Sequence, residues 1–292
     1  MTLADRDRVA VRLLRQSAGP PADLDWEQQL DPTLFAIPEH RISLYGTPLW
    51  RRLSHEERVQ LSWHEFASTA SVGLWFELVL MQSLIRYAYD RDLQTPHLQY
   101  CLTEIGDETR HSVMFARAAA MLAPGARYRA RRCVHELGRG YKALSSGPSL
   151  FGGVLVAEET LDRLQREIMA DTSLLPFARD VSRVHVTEEA RHVAYARTVV
   201  ADQVARLSRP QLEVHRLVCF VSSLLVVESF LDPAVYSAVG LDRDEAVRQA
   251  RANPYRRETR RWMAERVTGF LEDAGVIAGP TRSLWRRVGL LG

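Results

Sequence analysis

Two short runs, Asp107-Glu108-Thr109-Arg110-His111 and Glu188-Glu189-Ala190-Arg191-His192, each set a glutamate and a histidine three positions apart. On a helix that spacing puts both side chains on one face, where they can grip one cation. A further glutamate precedes each run: shifting Glu77, Glu108 and His111 by 81 positions gives Glu158, Glu189 and His192. The donor types recur at one offset although the surrounding residues hardly do. A lone Glu-x-x-His in an Arg- and Glu-rich chain is most often a solvated face, but two with matched upstream glutamates are not. Glu77 lies in Gly-Leu-Trp-Phe-Glu-Leu-Val-Leu and Glu158 in Gly-Gly-Val-Leu-Val-Ala-Glu-Glu. A carboxylate in such surroundings is costly unless it is paired or bound to a cation. The chemistry this implies is a two-metal site.

His185 sits four positions before Glu189 and seven before His192, on the same helix face, so the second half can offer one more imidazole than the first. Alone it reads as a polar core residue bonded to a carboxylate; beside the repeated signatures it reads as a ligand. Asp107 and Glu188 directly precede the donor carboxylates and are placed to accept hydrogen bonds from imidazoles on neighbouring helices, although surface ion pairs explain them equally well. Glu159 competes with Glu158, and the equal spacing of the two halves favours Glu158.

A Glu from each of two helices plus a Glu-x-x-His from each of two others is the donor set of ferritin-like di-iron and di-manganese bundles. With the extra histidine, the sequence resembles the p-aminobenzoate N-oxygenase (AurF-type) family of di-iron oxygenases, over about residues 54–231. The pattern is met at Glu77, Glu108, His111, Glu158, His185, Glu189 and His192. The resemblance implies that His111 and His192 are terminal ligands on separate irons, that Glu108 and Glu189 bridge, and that Glu77 and Glu158 are terminal carboxylates. It also implies that His185 makes the site more nitrogen-rich than in ordinary ferritin-like proteins. Two ions about 3.5–4 Å apart, as in other two-metal sites, would then activate O2 as co-substrate. The expected metal is iron, with manganese or a mixed Mn/Fe pair sharing the same donor types.

Helices must carry these residues. A helical pattern starts at Ser54, where Ser54 and Glu57 form a capping box, and runs through Glu77 to Tyr89 with an expected break near Ser62-Trp63. Thr95-Pro96 reads as an N-cap with proline in the first turn of a helix reaching about Leu122. A shorter basic helix is expected over about 128–144, then Ser145-Ser146-Gly147-Pro148 breaks the chain. Helices over about 149–170 and from Pro176 carry the second set. Pro210 opens another, apolar from Leu217 to Leu231, and a last one spans about 255–273. No alternating pattern of useful length competes. The expectation is an all-α, ferritin-like bundle in one domain, 1–292: a surface arm over 1–45 with one or two short helices, a metal-binding core over 54–231, and a C-terminal helix and tail over 255–292.

Composition narrows the setting. The 292 residues are 46% hydrophobic, enough for a substantial core, and the formal charge of +2 is interspersed, so neither a nucleic-acid groove nor a membrane patch is expected. Lys142 is the only lysine. Cys101, Cys133 and Cys219 show no C-x-x-C spacing, which indicates neither a disulfide framework nor a zinc site. The N-terminus lacks the apolar core of a signal peptide, and Leu217–Leu231 is short for a bilayer span and contains Glu228, so a cytoplasmic protein is expected. The functional expectation is an enzyme, a di-iron monooxygenase acting on a small amine substrate in secondary metabolism, with an external electron donor and a homodimeric state. Trp75, Tyr100 and Phe115 are candidates for the pocket wall, and Arg260 and Arg261 for holding a substrate carboxylate; core packing and a solvated helix face are the bland readings of each. The competing functions are carbon hydroxylation or desaturation on the same core, and non-catalytic metal binding.

Overall fold

The computed structural model describes residues 24–89, 91–130 and 132–292. The beginning of the expected surface arm, including Gly19-Pro20-Pro21, lies outside the described residues. Among the described residues there is no strand, and the protein is an all-α, ferritin-like bundle.

Four long helices carry the donors: α2 (His55–Tyr89) holds Glu77, α3 (Pro96–Leu122) holds Glu108 and His111, α5 (Gly147–Ala170) holds Glu158, and α6 (Pro176–Val204) holds His185, Glu189 and His192. Before them comes α1 (Pro48–Arg52), and α4 (Arg132–Leu144) lies between α3 and α5. Short connections make α2/α3 and α5/α6 antiparallel hairpins, and within each hairpin the helices pack most extensively. The two hairpins approach one another less closely, along α3 and α6 and along α2 and α5. Side chains, not backbone, fill the space between them.

Helix limits follow local chemistry. The Ser54–Glu57 capping box is present, with Ser54 N donating to Glu57 Oε2 at 2.7 Å and Glu57 N to Ser54 Oγ at 3.2 Å. Thr95 caps α3 and Pro96 stands in its first turn. The break expected near Ser62-Trp63 does not occur, and α2 runs through it. Ser62 Oγ bonds back to Val59 O and also accepts from Ala36 N at 3.0 Å, while Trp63 Nε1 donates to Leu34 O at 2.9 Å. These polar residues anchor the preceding segment instead of ending the helix. That segment is also more than a surface arm, because Ala36, Ile42 and Leu44 are fully buried.

The most buried helix is α5, from Pro148 to Asp162, because α6, α7 (Arg209–Ser229) and α10 (Pro254–Asp273) all pack on it. A helix apolar on every side needs such a jacket. Three further helices were not legible in the apolar periodicity: α8 (Ala234–Ala238), α9 (Arg243–Ala252) and, in the expected tail, α11 (Gly279–Arg287). The helix α2 and the segment Arg209–Ala238 are long and apolar enough to cross a bilayer, yet 44% and 56% of their most apolar windows are buried inside the protein. All three cysteines are free.

Candidate metal centre

Glu77, Glu108, His111, Glu158, His185, Glu189 and His192 converge between the two hairpins, and none is more than 3% exposed. Their donor atoms form overlapping groups lying within 4.8 Å of one another: Glu77 with His111 and His185, Glu108 with His111 and Glu189, and Glu158 with His185 and Glu189. Glu108 stands between the two histidines, with Oε2 2.8 Å from His111 Nδ1 and Oε1 2.8 Å from His192 Nδ1. Glu189 Oε2 lies 3.0 Å from His192 Nδ1 and 4.0 Å from His111 Nδ1. Such a posture suits carboxylates shared by two ions. Glu77 and Glu158 flank the group, 3.6 and 3.9 Å from His185 Nε2.

The outward ring nitrogens are held reciprocally across the α3–α6 contact. His111 Nε2 lies 3.0 Å from Glu188 Oε2, and His192 Nε2 lies 3.1 Å from Asp107 Oδ2. Each acid directly precedes a donor glutamate on its own helix yet orients the imidazole of the other helix. With Nε2–H donating outward, Nδ1 of both rings is left to face inward. The arginines of the two motifs close the outer side: Arg110 reaches Asp107 at 2.5 Å and Glu188 at 3.5 Å, and Arg191 reaches Asp107 at 3.3 Å. His185 uses the opposite nitrogen. Its Nδ1 donates to Gln165 Oε1 at 2.8 Å, so Nε2 faces the centre. Glu159 turns away, with Arg197 Nε donating to its Oε1 at 2.7 Å, which leaves Glu158 as the inward residue of the pair.

Charge decides what the centre needs. Burial, reinforced by Glu108 and Glu158, holds the Glu77 carboxyl well above the usual carboxylate range, and burial with Glu189 and Glu108 does the same for Glu158. Burial alone would lower His111, but Glu108, Glu188 and Glu189 together outweigh it and raise the imidazole to about 9. Burial and the neighbouring His111 push His185 well down, so it is a neutral imidazole with a free lone pair. For Asp107, burial is overcome by the hydrogen bond from His192 and then Arg110, which together bring it to about 2. Among the buried side-chain atoms without a hydrogen-bond partner are Glu77 Oε2, Glu189 Oε1 and His185 Nε2 of this centre. Native interiors rarely leave such atoms unsatisfied. Bound cations are the partners this donor set fits, and an oxygen- and nitrogen-rich set suits iron or manganese.

A cavity of about 560 Å³ opens from the surface between α2, α4, α5 and α7 and reaches Glu158. Its wall is largely apolar and aromatic, with Trp75, Phe76, Leu80, Val154, Leu225 and Val226, and among the described residues no arginine or lysine lines it. Gly138 lets the Trp75 ring lie against α4, where a Cβ would come within 2.6 Å of the ring. Of the sequence candidates for the pocket, Trp75 is on this wall. Phe115 packs on the His185 ring at 4.9 Å, and Tyr100 is fully buried against Tyr195 at 4.6 Å, both outside the cavity. Arg260 pairs with Glu228 at 2.6 Å, and Arg261 is exposed; neither reaches the cavity.

Residues 4–275 match the description of the P-aminobenzoate N-oxygenase AurF family. The chain belongs to that family. It is 27% identical over 94% of its length to uncharacterized proteins of Mycobacterium tuberculosis and Mycobacterium bovis, covering 83% of each. Among solved structures, similar ones include R2-like ligand-binding oxidase variants, one with a Mn/Fe cofactor (TM-score 0.45, 12% identity, 84% of this chain and 89% of that one). Another carries a Mn/Mn cofactor (TM-score 0.45, 14% identity, 86% and 91%). Family membership and the buried Glu/His groups make this a di-metal oxidoreductase of the oxygenase/oxidase class.

Sequence reasoning missed four residues around the centre: Arg110, Arg191, Gln165 and Glu104. The arginines stood in plain view, since both motifs carry Arg immediately before His. Gln165 had no such signal, being twenty positions from the ring it holds.

Proposed function

We propose that the protein N-oxygenates a small, uncharged, largely apolar amine, with Glu77, Glu108, His111, Glu158, His185, Glu189 and His192 as ligands to two iron or manganese ions. The observation carrying this reading is the apolar cavity that ends at Glu158, because it brings an uncharged guest to the edge of the donor cluster. The bound ions supply the redox capacity for O2 reduction. The first oxidation balances as amine plus O2, two electrons and two protons to hydroxylamine and water, the N–H bond giving way to N–O–H. An external electron donor provides the electrons.

The cavity wall makes a statement about substrate charge. With no arginine or lysine along it among the described residues, a buried carboxylate would lose its hydration without gaining a guanidinium or ammonium partner. An aniline without the acid group is therefore expected to be a better substrate than p-aminobenzoate. The same apolar wall favours a second reading, hydroxylation or desaturation of an apolar carbon chain.

The test is to load the protein with ferrous iron without air, add O2 and a chemical reductant with a panel of aryl amines and apolar alkyl compounds, and identify products by mass spectrometry. N-hydroxylated or nitroso products from neutral amines support the proposal. Exclusively C-oxidised products transfer the assignment to the second reading, and no product with any member of the panel sinks both.

A further inference from the structure

Applied backwards, the 81-residue offset that pairs the two halves sends His185 to Glu104. Glu104 lies on α3 four positions before Glu108 and seven before His111, as His185 lies on α6 before Glu189 and His192. Both are buried, Glu104 at 1% exposure and His185 at 0%. Each also has a buried polar atom without a hydrogen-bond partner, Oε2 in Glu104 and Nε2 in His185. A donor atom of Glu104 lies within 4.8 Å of donors from Glu108 and His192, whereas His185 groups with Glu77 and His111 or with Glu158 and Glu189. No group contains both.

We propose that Glu104 is an eighth ligand, a carboxylate bound to the ion held by His192, so that the two metal positions are chemically unequal. This rests on the di-metal reading of the centre. Among the described residues no arginine or lysine forms an ion pair with Glu104, and the charged groups facing it are His192, Glu108, Glu189 and Asp107. A structural acid at this depth would need a cationic partner or several donors. One half then adds a carboxylate where the other adds an imidazole. Because oxygen donors suit manganese and imidazole suits iron, the Glu104 side is the position expected to accept Mn(II) more readily.

The experiment compares wild-type protein with Glu104→Gln, titrating each with Mn(II) by calorimetry and melting each in chelator. The amide keeps the size and removes the negative donor. The wild type is expected to bind two Mn(II) per chain. The variant should hold one of them ~10-fold or more weakly, while its metal-free melting temperature stays equal or rises, since an unpartnered buried carboxylate has gone. Loss of binding together with a lower metal-free melting temperature would make Glu104 a structural residue and overturn the proposal, as would two ions bound with wild-type affinity. A wild type that binds no pair of ions would remove the di-metal reading itself. Anomalous diffraction from manganese-loaded crystals gives an independent readout: a Glu104 oxygen within bonding distance of one ion is expected, and its absence from both coordination spheres sinks the idea.

Discussion

At the scale of single residues, the motif acids do their work on the opposite helix. Asp107 holds His192 and Glu188 holds His111, so each hairpin sets the ring orientation of the other. Replacing Asp107 by Asn or Glu188 by Gln removes the charged acceptor and leaves the inward Nδ1 less well fixed. Loss of such an orienting group is expected to weaken metal affinity ~10–100-fold, read by chelator competition, and the double variant should lose both rings' support. Wild-type affinity in both single variants would mean that the rings are held by packing alone. Six of the seven converging positions were legible because they repeat in type and spacing. What could not be read was direction, since adjacency to a donor in sequence says nothing about which helix an acid will face. Glu104 escaped notice for a related reason: its counterpart is a histidine, so the repeat is one of position and not of residue type.

The elements were legible where a cap or a proline opened a long helix, as at Ser54, Thr95 and Pro176, whereas α9 and α11 carry Asp242 and Pro280 at their starts and still escaped, being short. Elements were also obscure where polar residues inside a helix serve tertiary bonds. Ser62-Trp63 looked like a break and is an anchor. Glu65, half a turn further along α2, belongs to the same anchoring system. Ser43 N and Oγ both donate to Glu65, at 3.1 and 2.5 Å, and Ser43 Oγ meets the Tyr236 hydroxyl of α8 at 2.8 Å. Burial pushes Glu65 from 4.5 up to about 7, against the lowering effects of Ser43 and Arg256. The folded state thus keeps a proton that the unfolded chain has already released. Stability from this group is complete below about 4.5 and falls as pH rises towards about 7. Between pH 5 and 8 the wild type should lose roughly 2–3 kcal/mol more than Glu65→Gln in urea unfolding. Equal slopes for the two proteins would show that Glu65 ionises normally.

Across the whole molecule, one arrangement explains why two hairpins so weakly joined by backbone contact form one structure. The space between them is occupied by buried acids and imidazoles, several of whose polar atoms lack a hydrogen-bond partner. Close links outside the centre also exist, as where His97 of α3 meets Tyr87 of α2 at 2.9 Å and Tyr195 of α6 at 2.5 Å. Bound cations would therefore join the hairpins as well as perform chemistry, and binding to the folded state alone adds stability by mass action. At a hundredfold excess over Kd one ion contributes ~2.7 kcal/mol, which for a chain of this size corresponds to a rise of ~4–5 °C in melting temperature. Chelator should reverse the rise while far-ultraviolet circular dichroism stays helical, because each hairpin packs its own apolar face. The same titration counts the ions: a catalytic pair saturates at about two per chain, whereas a storage protein keeps accepting iron far beyond that. A melting temperature indifferent to iron, manganese and chelator would mean that the inward-facing carboxylates are satisfied by protons alone, and would dismantle the metal centre together with the oxygen chemistry built on it.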